Sequence, residues 1–362
     1  MSKKTTRLSS GFDPAIQNRK SKIQNREGWS RREFLSTAAL VSTGAVLGLR
    51  SELVAAEPPP ETTRIRLVQR PSICVAPEYL AEDFLRAEGF IDVHYIKKQG
   101  PKEIEPALAA GEADITLHFA APNILRIDAG DPIVILAGGH IGCFELFGTQ
   151  RVRAIRDLKG KTVAILELGS SQHVFIASMA AHVGLDPRKD INWVTQLPAE
   201  SMRLLAQGKI DAFLGFPPQP QELRAKKVGH VIVNSMLDKP WSQYFCCMVT
   251  ANKDFVRKNP VATKRALRAI LKASDMCARE PERVARFLVD KAYTANYDLA
   301  VQTMQEMQMA YSHWREYDPA DTLRYYALRL HEAGMIKSSP QKIIAQGTDW
   351  RFLRELKKEL KA

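Results

Sequence analysis

The 362-residue sequence contains no G-x-S-x-G elbow, no P-loop and no G-x-G-x-x-G fingerprint. Serine-hydrolase, NTPase and dinucleotide chemistry therefore lack their usual signatures. The five cysteines (Cys74, Cys143, Cys246, Cys247 and Cys277) form no C-x-x-C. Structural zinc and thioredoxin-type chemistry lack their spacing as well. An odd count leaves at least one thiol unpaired within the chain, and small buried apolar residues are the expectation for most of them. Alternation along a strand puts neighbours on opposite faces, so Cys246 and Cys247 are not expected to pair with each other. No apolar run reaches the roughly 20 residues that a membrane-spanning helix requires. No basic run is interleaved with aromatics, so the net charge of +12 does not point to nucleic acid. Residues 1–56 carry +6 of that charge, and the other +6 is spread along the chain.

What is present begins with an address. Residues 1–29 are polar and basic without apolar period and read as disordered. Ser30-Arg31-Arg32-Glu33-Phe34-Leu35 has paired arginines followed by an apolar residue, the pattern of a twin-arginine export signal. The apolar stretch Thr37 to Leu49 is too short to span a bilayer and suits a signal-peptide core. Val54-Ala55-Ala56 supplies small residues, and cleavage is expected after Ala56, with release into the periplasm. Residues 57–61 form a proline-rich linker.

Beyond it, short apolar runs alternate with helical patterns. Ile65–Gln69, Ile91–Ile96, Ile115–Phe119 and Ile133–Ala137 read as strands, separated by helices that end at Gly89, Gly111 and Gly130. A second set runs from Arg156 to Asn234. Strands joined through helices predict an α/β fold with parallel pairing. Tyr244 to Thr250 is apolar and is expected to return the chain to the first unit. The remainder reads as helices, with Leu267, Ile270, Leu271, Ser274 and Ala278 marking one face of a long one. Lobe 1 is assigned to 62–148 plus 242–362, with a helical C-terminal tail packed on it, and lobe 2 to 149–241. The two crossings, near Leu146–Thr149 and Ser242–Tyr244, are the candidate hinges.

Ligands bind outside the carboxyl ends of strands in open α/β sheets. Here those ends offer Arg70 and Ser72, His118 and Phe119, His140, then Gly169-Ser170-Ser171-Gln172, then Phe216 and Pro217. Gly169 to Gln172 opens a helix, whose free N–H groups and dipole favour an anionic or carbonyl-bearing solute, while Ser170 can equally cap its own helix. Arg70 offers a bidentate clamp or a solvated strand-end charge. His118, His140 and His173, with Glu145, match no metal spacing, and no metal site or cofactor is expected.

Four stretches carry a resemblance. They are Ala109-Ala110-Gly111-Glu112-Ala113-Asp114-Ile115, Ile155 to Ala164 with its Asp157-Leu158-Lys159-Gly160-Lys161, Gly169-Ser170-Ser171, and Leu205 to Ala212 with Gly208-Lys209-Ile210-Asp211. Over roughly residues 62–350 the chain resembles the periplasmic binding proteins for nitrate, sulfonates, taurine and thiamine precursors, relatives of the thiamine pyrimidine synthase domain. The resemblance implies a two-lobe type II fold, with pocket positions near His118 to Pro122. It also implies a monomeric, non-catalytic solute carrier that serves the membrane permease and ATPase of an ABC importer. A synthase-like enzyme and a ligand-sensing module are the alternatives. The related synthase uses a cysteine-rich iron-binding stretch and pyridoxal phosphate. This chain has no cysteine between Ile210 and Glu222, and only Cys246 and Cys247 on its crossing strand.

Overall fold

The computed structural model describes residues 57–70, 72–98 and 101–361. The twin-arginine stretch and the cleavage point lie outside the described residues. Among the described residues no helix is long and apolar enough to cross a membrane.

The first half of the fold comprises β1 (Arg64–Gln69), α1 (Ala76–Ala87), β2 (Asp92–Lys97), α2 (Pro101–Ala109), β3 (Ile115–Phe119), α3 (Ala120–Asp128) and β4 (Ile133–Ile141). Next come β5 (Glu145–Gly148), β6 (Lys161–Ile165), α4 (Ser171–His182), β7 (Ile191–Thr195), α5 (Pro198–Ala206), β8 (Ala212–Gly215), α6 (Gln219–Ala225) and β9 (His230–Asn234). The chain then returns through β10 (Phe245–Asn252) and ends in α7 (Lys253–Lys258), α8 (Pro260–Arg279), α9 (Pro281–Asp290), α10 (Tyr297–Glu306), α11 (Pro319–Glu332), α12 (Pro340–Gly347) and α13 (Arg351–Glu359).

β1 and β2 pair in parallel, and β10 lies antiparallel between β3 and β4. The returning strand, as the sequence anticipates, enters the first unit. By separating β3 from β4 it replaces the parallel pairing expected there. These strands form two separate sheets, and the second unit has a third, of order β7-β6-β8-β5-β9, with β5 antiparallel to both neighbours. Because Glu145–Gly148 pairs inside this sheet, the first crossing falls at Gly142 to Phe144, earlier than the Leu146–Thr149 read from sequence. Gly142 has φ +36°, and a Cβ there would lie 2.3 Å from the Met236 backbone, so only glycine lets this crossing pass so close to the segment that follows β9.

Each unit repeats one joint. Asp114 Oδ2 accepts the Arg66 N–H at 2.8 Å, and the Asp114 N–H donates to the Arg66 carbonyl at 2.9 Å. Asp211 does the same with Thr162, at 2.9 and 2.8 Å. The Gly-x-x-Asp pattern after a helix thus fastens the incoming strand to its neighbour through backbone and carboxylate together.

Helices of the tail cover the first unit. Proline at its start and buried Ala266, Leu267, Ile270, Leu271, Ser274 and Cys277 make α8 amphipathic, and it packs along α1. Cys277 rather than Ala278 completes that face. Arg268 and Lys272 clasp Glu88 at 2.5 and 3.0 Å and tie the end of α1 to α8. α11 packs on α3 and also on α4 of the second unit, so one apolar core runs through both.

Candidate functional site

β1 and β3 belong to different sheets, and Glu78 of α1 bridges them. Its fully buried carboxylate accepts the Val68 N–H of β1 at 3.1 Å and the Leu117 N–H of β3 at 3.0 Å. The Thr116 hydroxyl adds a third donor at 3.2 Å. Burial pushes the Glu78 pKa up to about 7, against the opposing pull of Arg70 3.9 Å away and of these donors.

Above this carboxylate a cavity of about 410 Å³ opens between the strand ends of the two units. That volume suits a small molecule. Phe119 and Phe144 meet edge to face at 5.0 Å, and Phe216 stands edge-on to Phe144 at 6.3 Å. These rings, with Ile104, Leu166 and Leu197, make most of the lining apolar. Polar groups enter from both units. Arg70 comes from the first. One guanidinium nitrogen meets His118 Nδ1 at 2.6 Å and another donates to Thr116 Oγ1, while the buried Nε has no partner. Gln172 comes from the second, on the first turn of α4, and its buried Nε2 is likewise without a partner. An orphaned buried donor costs about 1–3 kcal/mol, and a ligand oxygen would relieve it.

Of the residues expected at strand ends, Arg70, Ser72, His118, Phe119, Ser171, Gln172 and Phe216 line this cavity. Gly169, Ser170, His140 and Pro217 are not among its walls. Gly169 takes φ +86°, and its N–H is spent on His173 Nδ1 at 3.0 Å. Ser170 is buried and caps α4, accepting the His173 N–H at 3.4 Å. Burial lowers the pKa of His173 to about 4. The expected anion cradle is therefore partly occupied by the protein's own groups, and Ser171 and Gln172 are what α4 presents.

His140 lies beneath the floor, fully buried. Its Nδ1 is 3.0 Å from the Ile141 carbonyl. The four histidine and glutamate groups weighed for a metal do not converge. His173 packs against Trp193, and Glu145 pairs with Arg224. What does converge on the floor is cysteine. Cys74, Cys143 and Cys247 line the cavity from below, and Cys246 Sγ is 3.2 Å from Cys143 Sγ. Against β4, β10 takes two residues, from Phe245 to Cys247, where its partner takes one, from Ile141 to His140. Cys246 meets Cys143 while Cys247 lines the cavity, and both thiols are free, so the two neighbours do not pair with each other, as expected. All five cysteines are free and buried. The cluster escapes sequence reading because its members come from three separate segments.

Two α/β units with a cavity between their strand ends define the periplasmic binding protein fold. The nitrate-binding protein NrtA of Synechocystis PCC 6803 superposes with a TM-score of 0.70 at 18% identity, covering 84% of this chain and 90% of that one. The alkanesulfonate-binding protein SsuA of Xanthomonas axonopodis pv. citri does so at 0.63 and 16%, covering 82% and 100%. The chain belongs to the NMT1/THI5 like family, whose model matches residues 74–284. It is 25% identical over 253 residues to the 4-amino-5-hydroxymethyl-2-methylpyrimidine phosphate synthase THI13 of Saccharomyces cerevisiae, covering 65% of this chain and 73% of that protein. It is 26% identical over 199 residues to a protein of Brucella abortus described as a binding protein, covering 53% and 61%.

Proposed function

We propose that this protein is the periplasmic solute-binding component of an ABC importer. It holds a small anionic or heteroaromatic solute in the cavity and hands it to a membrane permease and its ATPase. The carrying observation is the pair of unpartnered buried donors, Arg70 Nε and Gln172 Nε2, one on each unit of a mostly apolar cavity. A solute with acceptor atoms at both ends bridges the units through them, and its apolar body lies against Phe119 and Phe216. The likeness to the nitrate-binding and alkanesulfonate-binding proteins supports the reading. On it, a monomer exported through the twin-arginine route and cleaved after Ala56 closes the second lobe, which starts at Glu145 because β5 pairs in its sheet, on the first. Arg70, Ser72, His118, Phe119, Ser171, Gln172 and Phe216 touch the solute.

Thermal-shift screening against nitrate, alkanesulfonates, aminopyrimidines and aromatic acids tests it. A true solute at a hundred times its Kd adds about 2.7 kcal/mol of stability. Gln172→Leu is expected to weaken that solute's binding about tenfold, the loss of roughly one hydrogen bond. Absence of any stabilising anion or heteroaromatic would sink the proposal. Because the yeast relatives are named as synthases, the same samples are assayed for product, and turnover would establish the enzymatic reading instead.

A further inference from the structure

We propose that Cys74, His140 and Cys143 form a binding site for a thiophilic metal ion, Zn(II) or Cu(I), in the floor of the cavity. Their ligand atoms all lie within 4.8 Å of one another, and all three residues are buried. Metal–sulfur bonds of about 2.3 Å and metal–nitrogen bonds of about 2.0 Å in a tetrahedral site set ligand spacings of about 3.5–3.8 Å. Closing the present spacing to that value asks for side-chain shifts of about 1 Å.

The imidazole supplies the independent observation. Backbone carbonyls of Ile141 and Gly142, at 3.0 and 3.3 Å, can only accept, so His140 Nδ1 carries the proton. Nε2 is then the nitrogen left to act, and it is buried without a hydrogen-bond partner. A ring fixed through Nδ1–H to backbone carbonyl is the usual support of a metal-bound histidine. Two thiols and an imidazole select soft or borderline ions over magnesium or calcium. On binding, both thiols lose their protons to solvent and two metal–sulfur bonds form. Cys74 and Cys143 are reached from the cavity, which gives the ion an entry path and leaves a fourth position open on that side. None of the three residues lies on the Phe245 to Met248 strand.

The test uses the full-length protein, reduced anaerobically with a phosphine and stripped of metal. It is titrated with Co(II), as a coloured stand-in for Zn(II), and with Cu(I) against a chromophoric chelator. Saturation at one equivalent is expected with at least one of them. A thiolate charge-transfer band should accompany Co(II), and a rise in Tm should accompany whichever ion binds. Cys143→Ser and His140→Gln should weaken binding at least tenfold, and Cys277→Ser, whose thiol lies on α8, should leave it unchanged. The wild-type titration stands even if a floor variant folds poorly. No uptake of either ion by wild type, full affinity in Cys143→Ser, or equal loss in Cys277→Ser overturns the site. Solute affinity is measured separately, so the outcome is independent of which molecule fills the cavity.

Discussion

His173 shows how one side chain can be displaced from a binding role into a structural one. Its Nδ1 takes the Gly169 N–H, and its ring meets Trp193 edge-on at 4.8 Å. The folded state resists protonation down to about pH 4, whereas an unfolded imidazole protonates near 6.5. Its contribution is therefore complete above pH 6.5 and is lost as pH falls towards 4, amounting to about 3 kcal/mol at most. Urea melts of wild type and His173→Gln between pH 4 and 7 check this. The variant should show a shallower loss of stability on acidification, and parallel curves would refute the assignment. At this scale the sequence was informative about which residues lie at strand ends. It was silent on which way they point. Ser170 and Ser171 are adjacent, yet one is sealed under the helix and the other faces the cavity, a difference set by the turn before α4.

At the scale of elements, the helix-to-strand joints were the most legible part. Gly111 to Asp114 and Gly208 to Asp211 are local patterns with local consequences, and each carboxylate reaches its neighbouring strand as the fold requires. β5 was missed because Glu145–Gly148 is only four residues long and follows an irregular crossing, leaving no room for a period. The bulge in β10 was missed too, because an extra residue in a strand depends on its partner and not on its own sequence. The cap of α4 gives a test at this level. Ser170→Ala should cost about 1 kcal/mol of stability while leaving solute affinity within twofold, since the hydroxyl serves the helix. Calorimetric binding alongside denaturant melts measures both. A large loss of affinity with unchanged stability would return Ser170 to the site.

Over the whole molecule, the two units are joined by more than their crossings. Arg224 of α6 bridges Glu145 and Glu306 of α10, and Gln221 reaches Glu306 at 2.9 Å. Glu306 thus links the tail to the second unit across the surface. In the proposed hinge motion this contact must break for the cleft to open. Glu306→Gln should shift the solute-free protein towards open forms, read as a larger radius of gyration in X-ray scattering, and solute should restore the wild-type value. Identical profiles with and without the substitution would remove the link from the mechanism. The two-unit plan was legible from alternating strands and helices. The continuity of the core through α4 and α11 was not, because it depends on how the tail folds back.

The carboxylate of Glu78 holds β1 and β3 apart by the length of one side chain, and the depth of the space above follows from that length. Glu78→Asp, shorter by one methylene, would draw the strands inward, loosen the hold on Arg70 3.9 Å away and narrow the hollow from beneath. The size of guest this fold admits is thus set from below, by a side chain the guest never meets.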